Sequence, residues 1–307
     1  MPPDSRSRLR NWLASRLGGD GATARGAGRS IDRRAFVAWV GAGSVAAAVT
    51  AVVGTRGQQR DARTGPVAVA DARGQVWVTG AGRRFGDGEG RLYDVHPTLA
   101  RVDFLAADGR LDRSVALSNP TSLAVDARGA VLVLTLDGTL AAFDRDGAPR
   151  GERHPAGLVA PHDLAVGARG IAIANTLGHD VVVLDPAGAE RQRIGRGELD
   201  GPSSVAWRDD HLYVADIGQR RVAVFDARGA LVDSFGDGDG PLRAPRAIRL
   251  DARGHAFVVD RVAGGVFEFD RAHRLVGRVT PSGAAAEAHW VANGADGAIV
   301  VSCATPS

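Results

Sequence analysis

The stretch "GPSSVAWRDDHLYVADIGQRRVAVFDARGALVDSFG", residues 201–236, decides the fold. Its apolar runs are five to six residues long, rich in Val, Ala and aromatics, and bounded by Gly, Asp and Pro. A helix needs a longer run with a 3.6-residue period, whereas short alternating runs between turn signals read as strands. The stretch therefore predicts four short antiparallel strands with three turns between them.

The same frame recurs outward in both directions. Copies of its first half read "TGPVAVADARGQVWVTG" (64–80), "NPTSLAVDARGAVLVL" (119–134) and "APHDLAVGARGIAIAN" (160–175). They continue as "APRAIRLDARGHAFVVD" (244–260) and "AHWVANGADGAIVVS" (288–302). The turn position falls at Gly74, Gly129, Gly170, His211, Gly254 and Gly297, spaced 55, 41, 41, 43 and 43 residues apart. The second half recurs as "AAFDRDGAPRGERH" and "GVFEFDRAHRLVGRV". A steady period near 42 is the mark of a radially stacked architecture, and four strands per period are the content of a propeller blade. Six copies predict an all-β, six-bladed propeller over residues 60–307.

The segments "YVADIGQRR" and "FDARG", with the Pro turn ahead of them, resemble the NHL repeat, and the resemblance spans roughly residues 64–302. It implies a six-bladed NHL-type propeller. Blade 6 stops after its second strand, at "VVSCATPS". Its outer strands are then missing or supplied by another segment such as residues 55–63, because a bare edge invites pairing with other chains.

Propeller geometry sorts the loops between two faces. The slot after each blade-opening Pro points at the channel mouth, and across the six copies it holds Pro66, Thr121, His162, Ser203, Arg246 and His289. The loop between strands two and three opens on the same face. Blade 1 enlarges it to "GAGRRFGDGEGRLYDVHPTLA", which adds Tyr93, Asp94 and His96, and blade 3 adds His179. His211, His255 and His273 fall in turns of the opposite face and read as solvated. The expected binding residues are thus His162, His289, Arg246, Ser203, Thr121, His179, Tyr93 and His96. A concave mouth with convergent polar groups is the default ligand site of such a fold.

"PHDLAV…NTLGHDVVVLD" also resembles the amidating lyases built on NHL propellers, which hold zinc at the channel mouth by three histidines from alternate blades. Here His162 and His289 sit opposite each other, three copies apart. The resemblance would need histidines at Pro66 and Arg246 to complete one triad, or at Thr121 and Ser203 to complete the other. "GDGEG" (86–90) and "GDGDG" (236–240) carry carboxylates on Gly turns, which suit calcium but are also ordinary hairpin chemistry. The lactone-hydrolase type of six-bladed propeller needs acidic and amide groups in the ring, and the six slots hold none. No cofactor is expected, and zinc and calcium are the two metals that the ligand chemistry touches.

The net charge of +3 belongs to the leader. Residues 1–53 carry eight Arg against Asp4, Asp20 and Asp32, and the remainder is slightly acidic. That excludes the basic footprint of a nucleic-acid binder. The single Cys303 allows no intrachain disulfide. Residues 1–34 read as a disordered basic leader, and residues 35–54 as an apolar signal or anchor helix. The pair Arg33-Arg34, followed by Phe36 and the apolar run, resembles a twin-arginine export signal. The run is also just long enough to span a bilayer, so cleaved and membrane-retained forms both stay open. The sequence therefore predicts an exported or membrane-anchored propeller that binds a protein, peptide or glycan without catalysis. The alternative is a metal-dependent lyase or hydrolase using His162, His289 and a ligand from the blade 1 loop.

Overall fold

The structure, a computed structural model, describes residues 67–70, 76–79, 83–87, 91–106, 109–279, 287–293 and 299–304. The leader, the apolar run and Arg33, Arg34 and Phe36 lie outside the described residues. Among the described residues no helix is long and apolar enough to cross a membrane.

The molecule is an all-β propeller. Five blades are each built from four consecutive antiparallel strands. The first comprises Arg83–Gly86 (β3), Leu92–His96 (β4), Arg101–Leu105 (β5) and Leu111–Ala116 (β6). The second comprises Pro120–Val125 (β7), Val131–Thr135 (β8), Leu140–Phe143 (β9) and Pro149–Arg153 (β10). The third comprises Asp163–Gly167 (β11), Gly170–Asn175 (β12), Asp180–Leu184 (β13) and Glu190–Ile194 (β14). The fourth comprises Pro202–Arg208 (β15), His211–Asp216 (β16), Arg221–Phe225 (β17) and Leu231–Phe235 (β18). The fifth comprises Pro245–Leu250 (β19), Ala256–Asp260 (β20), Gly265–Phe269 (β21) and Leu275–Val279 (β22).

The remaining four-stranded sheet is composite. Glu287–Asn293 (β23) and Ile299–Ala304 (β24) join Val67–Ala70 (β1) and Val76–Thr79 (β2) in the order β1-β2-β24-β23. β24 meets β2 in parallel register, Val76 opposite Val300 and Thr79 opposite Cys303. Two expectations change here. The copy at 64–80 is the outer half of this composite sheet and not the inner half of a first blade, so six self-contained blades do not form. The outer strands added to the last copy are residues 67–70 and 76–79, not 55–63.

The recurring Asp of the frame closes each outward hairpin. Asp126 Oδ1 accepts the amides of Arg128 and Ala130 at 2.8 Å, and Asp226 Oδ1 takes those of Arg228 and Ala230 at 2.8 and 2.9 Å. The next position but two must then turn left-handed, which glycine does at no steric cost: Gly129 has φ 80° and Gly229 φ 81°. The second strands β8, β12 and β20 are buried along their length, while β6 and β10 face solvent. The core therefore lies between the blades. One of its seams runs through Tyr93, Phe104 and Phe143, edge to face at 5.5 and 6.0 Å.

The first strands of neighbouring sheets touch in the order β3, β7, β11, β15, β19, β23 and back to β3. That ring surrounds the channel, and it fixes what each inner residue can reach.

Candidate functional site: the channel mouth

Four of the slot residues are where the repeat puts them. Thr121, His162, Ser203 and Arg246 stand at the start of the inner strands, at or next to a one-residue bulge in β7, β15 and β19. Thr121 and Ser203 serve the frame: Thr121 Oγ1 donates to the Leu134 carbonyl at 3.2 Å, and Ser203 Oγ donates to the Pro245 carbonyl at 2.9 Å. His289 occupies the corresponding bulge of β23, between Ala288 and Trp290, and its side chain lies outside the described residues. Pro66 lies outside them too, and the strand that follows it in sequence, β1, is the outermost of its sheet.

The sixth inner strand is β3, and it brings Arg83. The guanidinium of Arg83 reaches across to His162, its Nη2 donating to Nε2 at 3.0 Å. Arg246 Nη2 lies 3.2 Å from the same Nε2. His162 Nδ1 is 3.1 Å from the Ser203 carbonyl. A carbonyl only accepts and a guanidinium only donates, so the tautomer is fixed: Nδ1 carries the hydrogen and Nε2 presents its lone pair to both arginines. β3, β11 and β19 alternate around the ring. The mouth thus carries a trio from alternate strands, Arg83, His162 and Arg246.

Burial and charge act together on this trio. Burial, then Arg83 and Arg246, hold the His162 imidazole well below the usual histidine range, so it is neutral at physiological pH. Burial, then Arg246, lowers Arg83 to about 9, against an upward pull from the Asp163 carboxylate. Burial, then Arg261, lowers Arg246 to about 10. Both stay cationic at neutral pH. Among the described residues no carboxylate forms an ion pair with either. The other channel arginines are matched: Arg84 forks onto Asp94 at 2.7 and 2.6 Å, and Arg249 forks onto Asp163 at 2.9 and 3.1 Å.

Asp163, one residue inward from His162, is the knot of the second layer. It is fully buried and also accepts Ser122 Oγ at 2.5 Å, Ser204 Oγ, and the Val205 amide at 3.2 Å. Trp290 floors the mouth, with the Arg83 guanidinium 4.4 Å and the Arg249 guanidinium 5.1 Å from its ring centroid. Beyond this layer the channel holds a cavity of about 250 Å³, lined by Leu123, Leu164, Val205, Trp207 and Leu250 with Arg249 at its edge.

Several expected site residues go elsewhere. Tyr93 is not on a loop; it lies in β4 with no exposed surface, and its hydroxyl donates to Asp87 Oδ2 at 3.1 Å. Burial and Asp87 push that phenol upward. The supposed enlarged loop is β3 and β4. His96 lies 3.1 Å from Asp103 Oδ2 at the end of β4, and His179 pairs with Asp200 at 3.3 Å on the rim. His273 and His255 are not free surface groups. His273 bonds Asp233 at 2.6 Å and Tyr213 at 3.2 Å and stacks on Phe235 at 4.4 Å, while His255 bonds Glu268 at 2.8 Å.

Neither metal set assembles among the described residues, where no group of three His, Cys, Asp or Glu converges. Asp87 of "GDGEG" is spent on Tyr93 and on the Arg91 amide at 2.9 Å. Asp237 of "GDGDG" heads a turn whose carbonyl takes the Gly240 amide at 2.7 Å. The His162 lone pair, the one a zinc ion would need, already receives two N–H groups.

In "RRFGDGEGRLYDVH" the Asp-x-x-Gly turn is present at Asp87 to Gly90, but the flanking strands carry Arg83, Arg84 and Asp94 in place of an apolar run, so the segment reads as a loop and Arg83 is missed. The signal available was the long first spacing of 55 residues, too great for one blade and a loop.

No family model and no curated protein matches the sequence. Solved structures do match in fold. A catalytically inactive variant of virginiamycin B lyase from Staphylococcus aureus, with quinupristin, is 14% identical over 78% of this chain and 92% of its own, with a TM-score of 0.60. A streptogramin B lyase is 13% identical over 76% and 82%, with a TM-score of 0.60. A gluconolactonase from Xanthomonas campestris is 22% identical over 78% and 92%, with a TM-score of 0.58. At these identities the likeness establishes the propeller fold and nothing about chemistry.

Proposed function

We propose that the protein is a ligand-binding propeller that takes its ligand, a protein, peptide or glycan terminus, at the channel mouth around Arg83, His162 and Arg246. In this reading the composite sheet serves as the sixth blade, since β23 completes the ring of inner strands. The observation that carries the proposal is the trio itself. Three polar side chains from alternate strands converge at the mouth, and neither of the two cations among them forms an ion pair with a carboxylate among the described residues. Buried charge is costly unless paired, so a site that keeps two such groups is built for a partner. Solved neighbours include lyases and a lactonase. A metal-dependent reaction at His162 is disfavoured here because two guanidiniums occupy its lone pair and repel a metal cation.

The test uses the immobilised full chain, offered defined peptide and glycan libraries, with retained compounds identified by mass spectrometry. Retention should be lost with His162→Ala and with Arg246→Ala. Equal retention by wild type and both variants would place binding elsewhere.

We further propose that residues 1–54 direct the propeller out of the cytoplasm, by export or by a retained anchor. Arg33→Lys with Arg34→Lys should trap the chain inside the cell on fractionation. Unchanged distribution would refute the twin-arginine route.

A further inference from the structure

We infer that the group recognised at the mouth is an oxyanion, seated between the guanidiniums of Arg83 and Arg246; this rests on the channel-mouth reading above. Four arginines on the inner strands β3 and β19 differ in their partners. Arg84 and Arg249 each meet a carboxylate through two N–H groups. Arg83 donates to the Thr121 carbonyl and to His162, and Arg246 donates to His162 alone among the described residues. Each guanidinium has five N–H donors in a planar fork. Most of the donors of this pair therefore have no partner among the described residues, and the one shared acceptor is neutral.

A neutral imidazole is what allows two like charges to stand on one point. It accepts from both and adds no charge, so the mouth keeps two positive charges in a desolvated setting. A metal cation is repelled there, and an apolar group leaves the donors unmet. An oxyanion satisfies both demands, since its oxygens accept from planar forks and its charge offsets theirs. Trp290 below fixes the Arg83 plane through its ring face. Arg246 is partly exposed, so the pair opens toward solvent on the entry face.

Two sources share this chemistry, a phosphoryl or sulfate group and a terminal carboxylate. Calorimetry and thermal shift on the full chain, at constant ionic strength, separate them with inorganic phosphate, sulfate and acetate against chloride. Binding of any of the three at millimolar or tighter affinity, with a raised Tm, supports the inference. A tenfold preference for phosphate or sulfate over acetate assigns a tetrahedral oxyanion, and parity assigns a carboxylate. Arg246→Gln and Arg83→Gln should each weaken binding at least tenfold, Arg246→Lys less, and Arg253→Gln on the opposite face not at all. The inference is overturned if none of the anions exceeds chloride, or if Arg246→Gln binds like wild type. Phosphate also competes against any compound retained in the library test. A retained compound that is uncharged and undisplaced would sink the oxyanion and leave the channel-mouth reading standing.

Discussion

His162 and Asp163 are neighbours in sequence and belong to different worlds in the channel. Asp163 is saturated: a forked arginine, two hydroxyls and an amide meet its two oxygens, and nothing is left to offer a ligand. His162 is the reverse, a neutral acceptor between two cations that form no ion pair with a carboxylate among the described residues. The inner layer is an internal tie between β7, β11, β15 and β19. The outer layer is electrostatically unfinished. The lesson is that chemical density does not mark the site; residual demand does.

The comparison breaks hardest at the inner layer. Asp163→Ala leaves Arg249 buried and unpaired, and removing one partner of a buried pair costs about 3–5 kcal/mol. Urea denaturation reads it directly. Pairing Asp163→Leu with Arg249→Met should recover much of that loss, since matched apolar replacement removes both charges. If Asp163→Ala costs no more than an exposed substitution, the tie between strands is not structural.

His162 and a buried carboxylate outside both layers, Asp216, predict pH effects of opposite sign. His162 is held below its unfolded value of about 6.5. Above that pH it is neutral in both states and its contribution is intact. As pH falls through 6.5 the unfolded chain takes a proton that the folded one refuses, and stability drops by up to about 1.4 kcal/mol per pH unit. Asp216, at the end of β16, is raised by burial to about 6. The folded state there holds a proton that the unfolded chain releases above about 4, so its contribution is present at low pH and is lost as pH rises through 6. His162→Gln should flatten the acid limb, and Asp216→Asn should raise stability at pH 8 while leaving that limb. Identical profiles for wild type and His162→Gln would mean that the imidazole is not buried neutral.

At the outer layer the sharpest contrast is that loss of the half-buried Arg246 should cost almost nothing in folding. Arg246→Gln removes a charge facing Arg83 and Arg261, so unfolding free energy should change by less than about 1 kcal/mol, in either direction. A loss as large as that of Asp163→Ala would make the trio a structural knot like the one beneath it.

How much of this was legible depended on which residues carry the pattern. The hairpin turns were, because an Asp accepting two amides followed by a left-handed Gly works only at fixed spacing. The slot residues Thr121, His162, Ser203 and Arg246 followed from that frame. The first hairpin was not. "GPVAVADARGQVWVTG" has the full frame yet forms outer strands, because the frame encodes a hairpin and says nothing about its radius. Conversely β3 and β4 share the Asp-x-x-Gly turn at Asp87 but break the apolar runs with Arg83, Arg84 and Asp94, and so passed for a loop, which hid Arg83 and turned the core residue Tyr93 into a surface candidate. Pairing of β2 with β24 joins segments more than 200 residues apart, and no local pattern encodes that.

His273 gives the smallest and cleanest test of the same distinction between frame and added chemistry. In "FDRAHRL" it occupies the slot that is Gly in "FDARGAL", and it takes the same left-handed turn at φ 60°. A side chain there strains the backbone, and the contacts with Asp233, Tyr213 and Phe235 offset the strain. His273→Ala and His273→Gly both forfeit those contacts, but only the glycine relieves the turn. The glycine variant should therefore be the more stable of the two by about 1 kcal/mol, whatever the contacts are worth. Equal stability would mean that the turn relaxes once the imidazole is gone, and that the left-handed geometry is imposed by the histidine contacts and not by the frame.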